Sequence, residues 1–349
     1  MISQCVGQNA CLAADINFDT AGLWKGILQL TVDGLSWGAI YALVAVGYTL
    51  VYGVLKLINF AHSEVFMFGM FGAYFCLDMI LGFRPMGDTY DKGIVLTVFY
   101  LGIAMIFAML VSGATALGLE AVAYRPLRRR NAGRLSFLIT AIGMSFVLQE
   151  FVHFILPKIL PGYGGSNAQQ PIKLVSPKTQ FEFSIGGLDV RITNVTIIIV
   201  VAALVLAATA DVLINRTRLG RGIRAVAQDP DTATLMGVSR ERVIMLTFLI
   251  GGLLAGAAAL LYTLKNPQGI IYSGGFLLGI KAFSAAVLGG IGNLRGALLG
   301  GLLLGVIESY GQQLFGVQWR DVVAFVLLVA VLFFRPTGIL GESLGKARA

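Results

Sequence analysis

Apolar residues in this chain come in long unbroken runs rather than at the three-and-four spacing of a half-buried helix. Gly34 to Leu55, Ile94 to Leu119 and Val243 to Leu264 contain no charged residue at all. Each matches or exceeds the roughly 20 residues a helix needs to cross the hydrocarbon of a bilayer. Extending the same reading predicts nine hydrophobic segments: Lys25 to Leu55, Leu57 to Leu81, Ile94 to Leu119, Leu135 to Leu156, Ile192 to Ile214, Val243 to Leu264, Phe276 to Leu294, Gly296 to Phe315 and Val322 to Phe334. The expected class is all-α, a polytopic transmembrane helical bundle.

Composition agrees with the pattern. The 349 residues are 57% hydrophobic and 13% charged, with a mean hydropathy of +0.81, outside the balance of a soluble domain. The 44 glycines would weaken exposed soluble helices but suit close helix contact in lipid. A net charge of +8 does not point to nucleic acid, because the arginines cluster beside hydrophobic spans, as in cytoplasmic loops. Cys5, Cys11 and Cys76 have no metal-ligand spacing. Cys5 and Cys11 can pair if their tail lies outside the cell, or remain thiols. The first 23 residues lack the basic and apolar regions of a cleaved signal peptide.

Charge sets an expected orientation. Tyr124 to Arg134 holds five arginines, and Asn215 to Arg242 holds six. Two spans separate these stretches, so both fall on one side, the cytoplasm. Parity then puts residues 1–23 outside as an extracytoplasmic tail, 157–191 outside as a loop, and 342–349 inside as a cytoplasmic tail. The membrane domain covers 24–341, and 215–242 is a cytoplasmic loop. This arrangement places 16 lysines and arginines inside, nine outside and Lys281 within a segment. The stretch 157–191, rich in Gly, Pro, Ser and Gln, is expected to form a small ordered cap or hairpin. No GxxxxGK[ST] loop is present to cradle a nucleotide, so the chain by itself cannot use ATP.

A second pattern concerns symmetry. A charge-free run of 22 residues, Gly34 to Leu55, is followed by a short one of 13, Val65 to Leu77, and Val243 to Leu264 followed by Ala282 to Leu294 repeats both lengths. Five segments separate the pairs, so the second copy would be inverted, as in transporters whose broken helices border the pathway. The alternative is coincidence, with tilt and snorkelling ends making up the short lengths.

Polar residues inside apolar segments are the candidates for chemistry. Asn59, His62, Ser63 and Glu64 sit at the edge of the second segment. They read either as a pathway or gate element, or as an interfacial cap in which Ser63 and Glu64 satisfy a helix N-terminus. Gln149, Glu150 and His153 form a second group, and Asp33 and Glu308 stand singly. A proton relay would need a connected series, whereas these are isolated in sequence. No catalytic constellation and no metal site is evident. Gly289 to Gly296 superficially resembles a dinucleotide-binding turn but lacks a preceding strand. Gly292, Gly296, Gly300, Gly301 and Gly305 instead predict a groove for helix packing.

The loop from Arg218 to Val238 carries explicit helix punctuation. Asp229 can cap the free amides, Pro230 suits the first helical position and Asp231 favours the positive end of the dipole, while Gly237 can take the left-handed stop. A short helix over Asp229 to Gly237 is expected on the cytoplasmic surface. Leu235, Met236 and Val238 give it an apolar side, either as an ordinary loop helix or as a docking element for a cytosolic partner.

At these residues the chain resembles the permeases of branched-chain amino-acid ABC importers. The likeness lies in Gly38 to Leu43 leading to Gly47 to Gly53, in Ile58 to Glu64, in Arg218 to Val238, and in Gly289 to Gly301 with the closing Phe334 to Gly341. It spans about residues 30 to 341, with Ser63 where the family usually has glycine. The resemblance implies a second related permease, two cytosolic ATP-binding subunits and an external substrate-binding protein, all in the bacterial inner membrane system. It also implies that Asp229 to Gly237 is the helix that couples to an ATPase. ATP and magnesium would belong to those partners, and this chain would hold no cofactor. Relatives carry urea, amides or other amino acids, so cargo stays open. An ion-coupled secondary transporter, working through groups such as Glu150 or Glu308, is the competing class.

Overall fold

The computed structural model describes residues 18–82, 94–161, 163, 178–185, 188–266, 269–335 and 337–341. Cys5 and Cys11 lie outside these residues, as do residues 342–349. The first helix, α1 (Thr20–Leu55), begins five residues before the first hydrophobic segment, because Asp19 accepts from the Gly22 amide at 2.8 Å and caps it. Residues 20–23 are therefore helix rather than tail. Next come α2 (His62–Phe75), widening into a π turn (Cys76–Ile80), and α3 (Ile94–Leu119), with its own π turn (Glu120–Tyr124) and α4 (Arg125–Arg129). Then follow α5 (Arg134–Glu150), a π turn (Phe151–Ile155) and α6 (Leu156–Ile159). The last two π turns each end just before a proline, Pro126 or Pro157. A proline ring crowds the preceding turn and removes its hydrogen bond, which favours the wider geometry.

A hairpin of β1 (Thr179–Ile185) and β2 (Leu188–Thr193) follows, the one sheet among the described residues, and it starts in the 157–191 stretch and ends two residues beyond it. Its β2 amide at Arg191 donates to Gln29 near the start of α1 at 2.8 Å. The chain continues through α7 (Asn194–Arg216), α8 (Arg218–Gln228), α9 (Pro230–Leu235), α10 (Arg240–Lys265), α11 (Gly274–Gly289), α12 (Leu294–Phe315) and α13 (Arg320–Phe334).

Each of the nine hydrophobic segments contains helix, although Ile192 and Thr193 belong to β2 and residues 57–61 to the turn before α2. Seven of the described helices are long and apolar enough to cross a membrane. With 16 residues, α11 is short, and α12 does not reach that hydropathy. Leu294, read as the end of the seventh segment, starts α12 instead.

Packing arranges two triplets of helices in opposite directions. Helix α1 lies antiparallel to α12, where Gly34 and Gly38 face Gly305 and Gly301; a Cβ on Gly301 would fall 2.4 Å from the Ala42 Cα. Helix α10 lies antiparallel to α3 in the same manner, with a Cβ on Gly256 falling 2.4 Å from the Ala108 carbonyl oxygen. Between them α1 meets α10 at Gly47 and Gly251. Exchanging α1 with α10, α2 with α11 and α3 with α12 maps the main helix contacts onto one another: α1–α12 onto α10–α3, α2–α3 onto α11–α12 and α10–α2 onto α1–α11. That is the arrangement of an inverted repeat.

Four of the packing glycines work on two faces of α12. Gly296 and Gly300 admit α11, with a Cβ at Gly300 only 2.1 Å from the Ala285 carbonyl oxygen, while Gly301 and Gly305 admit α1. Gly292 is different. It has φ +100° and no neighbour within 4 Å of an added Cβ, so it shapes the turn between α11 and α12 rather than a packing groove. The same turn carries Gly290 at φ +108°, and the closing segment clasps it: the Ile339 and Leu340 amides donate to the Leu288 and Gly289 carbonyls at 2.9 and 3.0 Å. The glycine-rich stretch and the closing stretch thus form one structural unit, which leaves no open turn for a dinucleotide.

Candidate gate and docking helix

The chain leaves α1 at Leu55 and turns back into the bundle before α2 starts. His62 lies against Gly47, with its Nε2 2.5 Å from where a Cβ would be, and Gly47 is eight residues, about 12 Å, before the end of α1. Asn59, His62, Ser63 and Glu64 are 2%, 1%, 3% and 0% exposed, so all four are packed inside the bundle. They do not form one site. Asn59 accepts from the Tyr124 hydroxyl at 2.9 Å, from the turn after α3. The His62 ring meets Tyr48 edge-on at 4.7 Å. Glu64, on another face of α2, accepts from Ser145 of α5 at 3.1 Å and lies 3.3 Å from the Ser63 hydroxyl oxygen.

The capping alternative fails for this turn. No side chain caps α2, and the Ser63 hydroxyl donates backwards to the Phe60 carbonyl at 2.8 Å. What remains is a concentration of unmet polar atoms. Among the described residues, Thr49 Oγ1, Asn59 Nδ2, His62 Nε2 and Glu64 Oε2 are four of the seven buried side-chain atoms without a hydrogen-bond partner. Buried polar atoms are ordinarily paired, and each exception needs a reason. Beside Asn59, a cavity of about 10 Å³ is lined by Tyr48, Tyr52, Ile58, Phe283, Ala286 and Ile291, room for at most one water molecule.

Two other embedded glutamates have cationic partners, although Glu308 Oε2 and Arg128 Nη1 stay without a hydrogen-bond partner. Glu120 is bound by Arg125 at 2.6 Å and Arg128 at 2.5 Å. Glu308 is bound by Lys281 at 2.7 Å and also by Arg320, while Lys281 reaches Asp321 at 2.5 Å and Arg320 donates to the Tyr41 hydroxyl at 3.2 Å. Glu308 is therefore not a lone carboxylate but one member of an ion network joining α1, α11, α12 and α13. Sequence reading missed it because its members are far apart in the chain; Lys281 inside an apolar segment was the available signal. Asp33 accepts from Gln29 at 3.0 Å. Glu150 pairs with His153 at 3.2 Å, whose ring stacks on Tyr272 at 4.3 Å.

At the arginine-rich end, Arg129 contacts Glu241 at 3.3 Å, which brings the two arginine-rich stretches together. Helix α9 here spans Pro230–Leu235, shorter than Asp229 to Gly237. Asp229 accepts from the Asp231 and Thr232 amides at 3.0 and 3.1 Å and from the Thr232 hydroxyl at 2.6 Å. Those bonds, the Thr232 hydroxyl first, hold its carboxyl below the usual range, so the cap is intact at neutral pH. Gly237 stops the helix at φ +85°. Leu235 and Met236 are 87% and 80% exposed, whereas Val238 packs against the core and belongs to no outer side.

Helix α8 occupies the first part of the stretch expected as a loop. Leu219, Ile223 and Val226 repeat at helical spacing, and Thr217 caps the helix by accepting from the Gly220 amide at 3.1 Å; that periodicity was readable but lay hidden among the arginines.

Comparison with known proteins bears on this arrangement. Residues 30–332 match the family profile described as branched-chain amino acid transport system / permease component. The chain belongs to that family. The permease is 43% identical over 326 residues to the high-affinity branched-chain amino acid transport system permease protein BraD of Pseudomonas aeruginosa, covering 90% of this chain and 96% of that one. It is 38% identical to LivH of Escherichia coli K12, with the same coverage. Among solved structures, PsaBC from Streptococcus pneumoniae in complex with Fab covers 91% of the permease and 95% of its own chain, at 12% identity and a TM-score of 0.42.

Proposed function

We propose that the chain is the channel-forming subunit of an ATP-driven importer that moves branched-chain amino acids across the bacterial cytoplasmic membrane. It works with a second related permease, two cytosolic ATP-binding subunits that hold ATP and magnesium, and an external substrate-binding protein. The N-terminus and the hairpin lie outside; the arginine-rich end, α9 and the C-terminus lie inside. Asn59, His62, Ser63 and Glu64 border the solute path as separate gate elements at the entry to α2, and α9 is the element that seats in an ATPase.

The observation that carries this reading is the exposure of Leu235 and Met236 on a firmly capped helix at the arginine-rich end. Large apolar side chains projecting from a polar surface beside a membrane favour a protein partner. In vesicles containing the complete complex, leucine uptake should require ATP, and an imposed proton or sodium gradient alone should drive none. Leu235→Asp should leave membrane insertion and stability unchanged and abolish both uptake and substrate-stimulated ATP hydrolysis. Native transport by Leu235→Asp would reduce α9 to a loop helix. Gradient-driven uptake by the isolated chain would favour the secondary-transporter class. Orientation is tested separately: cysteines placed at Asn131 or Thr217 should resist an impermeant reagent in sealed cells.

A further inference from the structure

Helices α2 and α5 run side by side along a seam. Ser145 meets Glu64 at 3.1 Å, Phe151 stacks on Phe68 at 6.0 Å, and Tyr163 beyond α6 donates to Asp78 at 2.5 Å. Two embedded carboxyls border this seam, Glu64 and Glu150, and among the described residues neither has a lysine or arginine at ion-pair distance. Glu120 and Glu308 each have two. The side chain of Glu150 is 51% exposed although it lies sixteen residues, about 24 Å, along α5 from Arg134. An ionisable group at that depth faces protein or water rather than lipid.

The surroundings of Glu64 define a chemistry. One carboxyl oxygen accepts from the Ser145 hydroxyl and lies 3.3 Å from the Ser63 hydroxyl oxygen, whose proton goes to the Phe60 carbonyl, and the other, Oε2, is buried with no partner. Across from Ser63 stands α11, which presents Gly275 and Gly279: a Cβ on Gly279 would fall 2.2 Å from the Ser63 Cβ and 3.1 Å from the Tyr48 hydroxyl. A carboxylate among hydroxyl oxygens, without a resident cation, offers acceptors in the number a primary ammonium needs for its three N–H groups. The first turn of α2 supplies only about half a positive charge, too little to replace the two cations found at Glu120 and at Glu308. A guanidinium would need a coplanar pair of free acceptors, whereas Oε2 is the one carboxyl oxygen of Glu64 without a partner.

We propose that Glu64, with the Ser63 and Ser145 hydroxyls, is a subsite on the solute path that takes the α-ammonium group of an amino acid when the α2–α11 contact opens. The seam towards Glu150 is its approach. This assignment rests on the proposed gate and cargo.

The test uses the complete complex in vesicles, with leucine uptake and ATP hydrolysis measured together. Wild type provides the reference, and absence of leucine uptake there overturns the cargo assignment and the subsite with it. Given wild-type uptake, Glu64→Gln keeps the shape and loses the charge. It should lower uptake by about tenfold or more, the worth of a hydrogen bond to a charged group. Binding-protein-stimulated ATP hydrolysis should persist, so more ATP is consumed per leucine. Glu64→Asp should recover part of the uptake. Ser145→Ala should shift the ATP-to-leucine ratio in the same direction by less, and it carries the test if Glu64→Gln fails to assemble. Native uptake by Glu64→Gln would make the carboxyl a neutral packing group and overturn the subsite. So would a parallel fall of uptake and hydrolysis, which marks a mechanical role. Sodium dependence of wild-type uptake that disappears in Glu64→Gln would assign the site to a metal cation and overturn it as well.

Discussion

In the triplet α1 to α3, the π turn that closes the third helix begins with Glu120, clamped by Arg125 and Arg128 of α4. In α10 to α12, the third helix carries Glu308, clamped by Arg320 from the next helix and by Lys281. The second helices differ. Lys281 of α11 is engaged with Glu308 and Asp321, whereas Glu64 of α2 is buried with hydroxyls alone. Glycine contacts, helix directions and neighbours repeat between the halves, so packing cannot account for the difference in charge. Symmetric features belong to the frame, and the asymmetric one is where a function separate from stability is to be sought.

The largest effect should come from breaking the balanced network. Glu308→Ala leaves Lys281 and Arg320 short of a buried counter-charge and should cost about 3 to 5 kcal/mol, read as a lowered thermal midpoint in detergent. Glu64→Gln should leave that midpoint nearly unchanged. Equal losses in the two variants would dissolve the contrast.

Next in size are the glycine contacts that build the frame. Gly301→Val and Gly256→Val each drive a side chain into the backbone of a neighbouring helix and should destabilise by about 1 to 3 kcal/mol or more. Similar losses at both positions would support equivalent halves, and a clear inequality would show that one triplet bears more of the fold. Gly53, with nothing within 4 Å of an added Cβ, supplies the smallest effect: Gly53→Ala should be neutral or stabilise by about 0.4 to 1 kcal/mol.

These contrasts also explain what could be read from the chain. Helix spans follow from uninterrupted apolar runs, and α9 follows from Asp229, Pro230 and Gly237, because capping is local chemistry. Four-residue spacing runs through Gly292 as it does through the packing glycines, although the backbone turns there. The partners of Glu308 arrive from α11 and α13, and Ser145 reaches Glu64 across 81 positions. Side-chain pairing at that separation is set by the tertiary arrangement, which leaves no periodic trace. The seam beside Glu150 was likewise visible only as three separate polar residues.

The glycine contact between α1 and α12 joins nearly opposite ends of the chain, and this bears on synthesis. Gly38 and Gly301 are 263 positions apart, 301 minus 38. At roughly 5 to 20 residues per second, the ribosome needs on the order of 13 to 50 seconds to deliver the partner of the first span. Throughout that interval the glycine face of α1, together with Tyr41, has no α12 to cover it. The first helix must therefore be sheltered by the insertion machinery or by provisional neighbours. The final closure of the permease occurs late, when α12 exchanges with whatever has occupied that face.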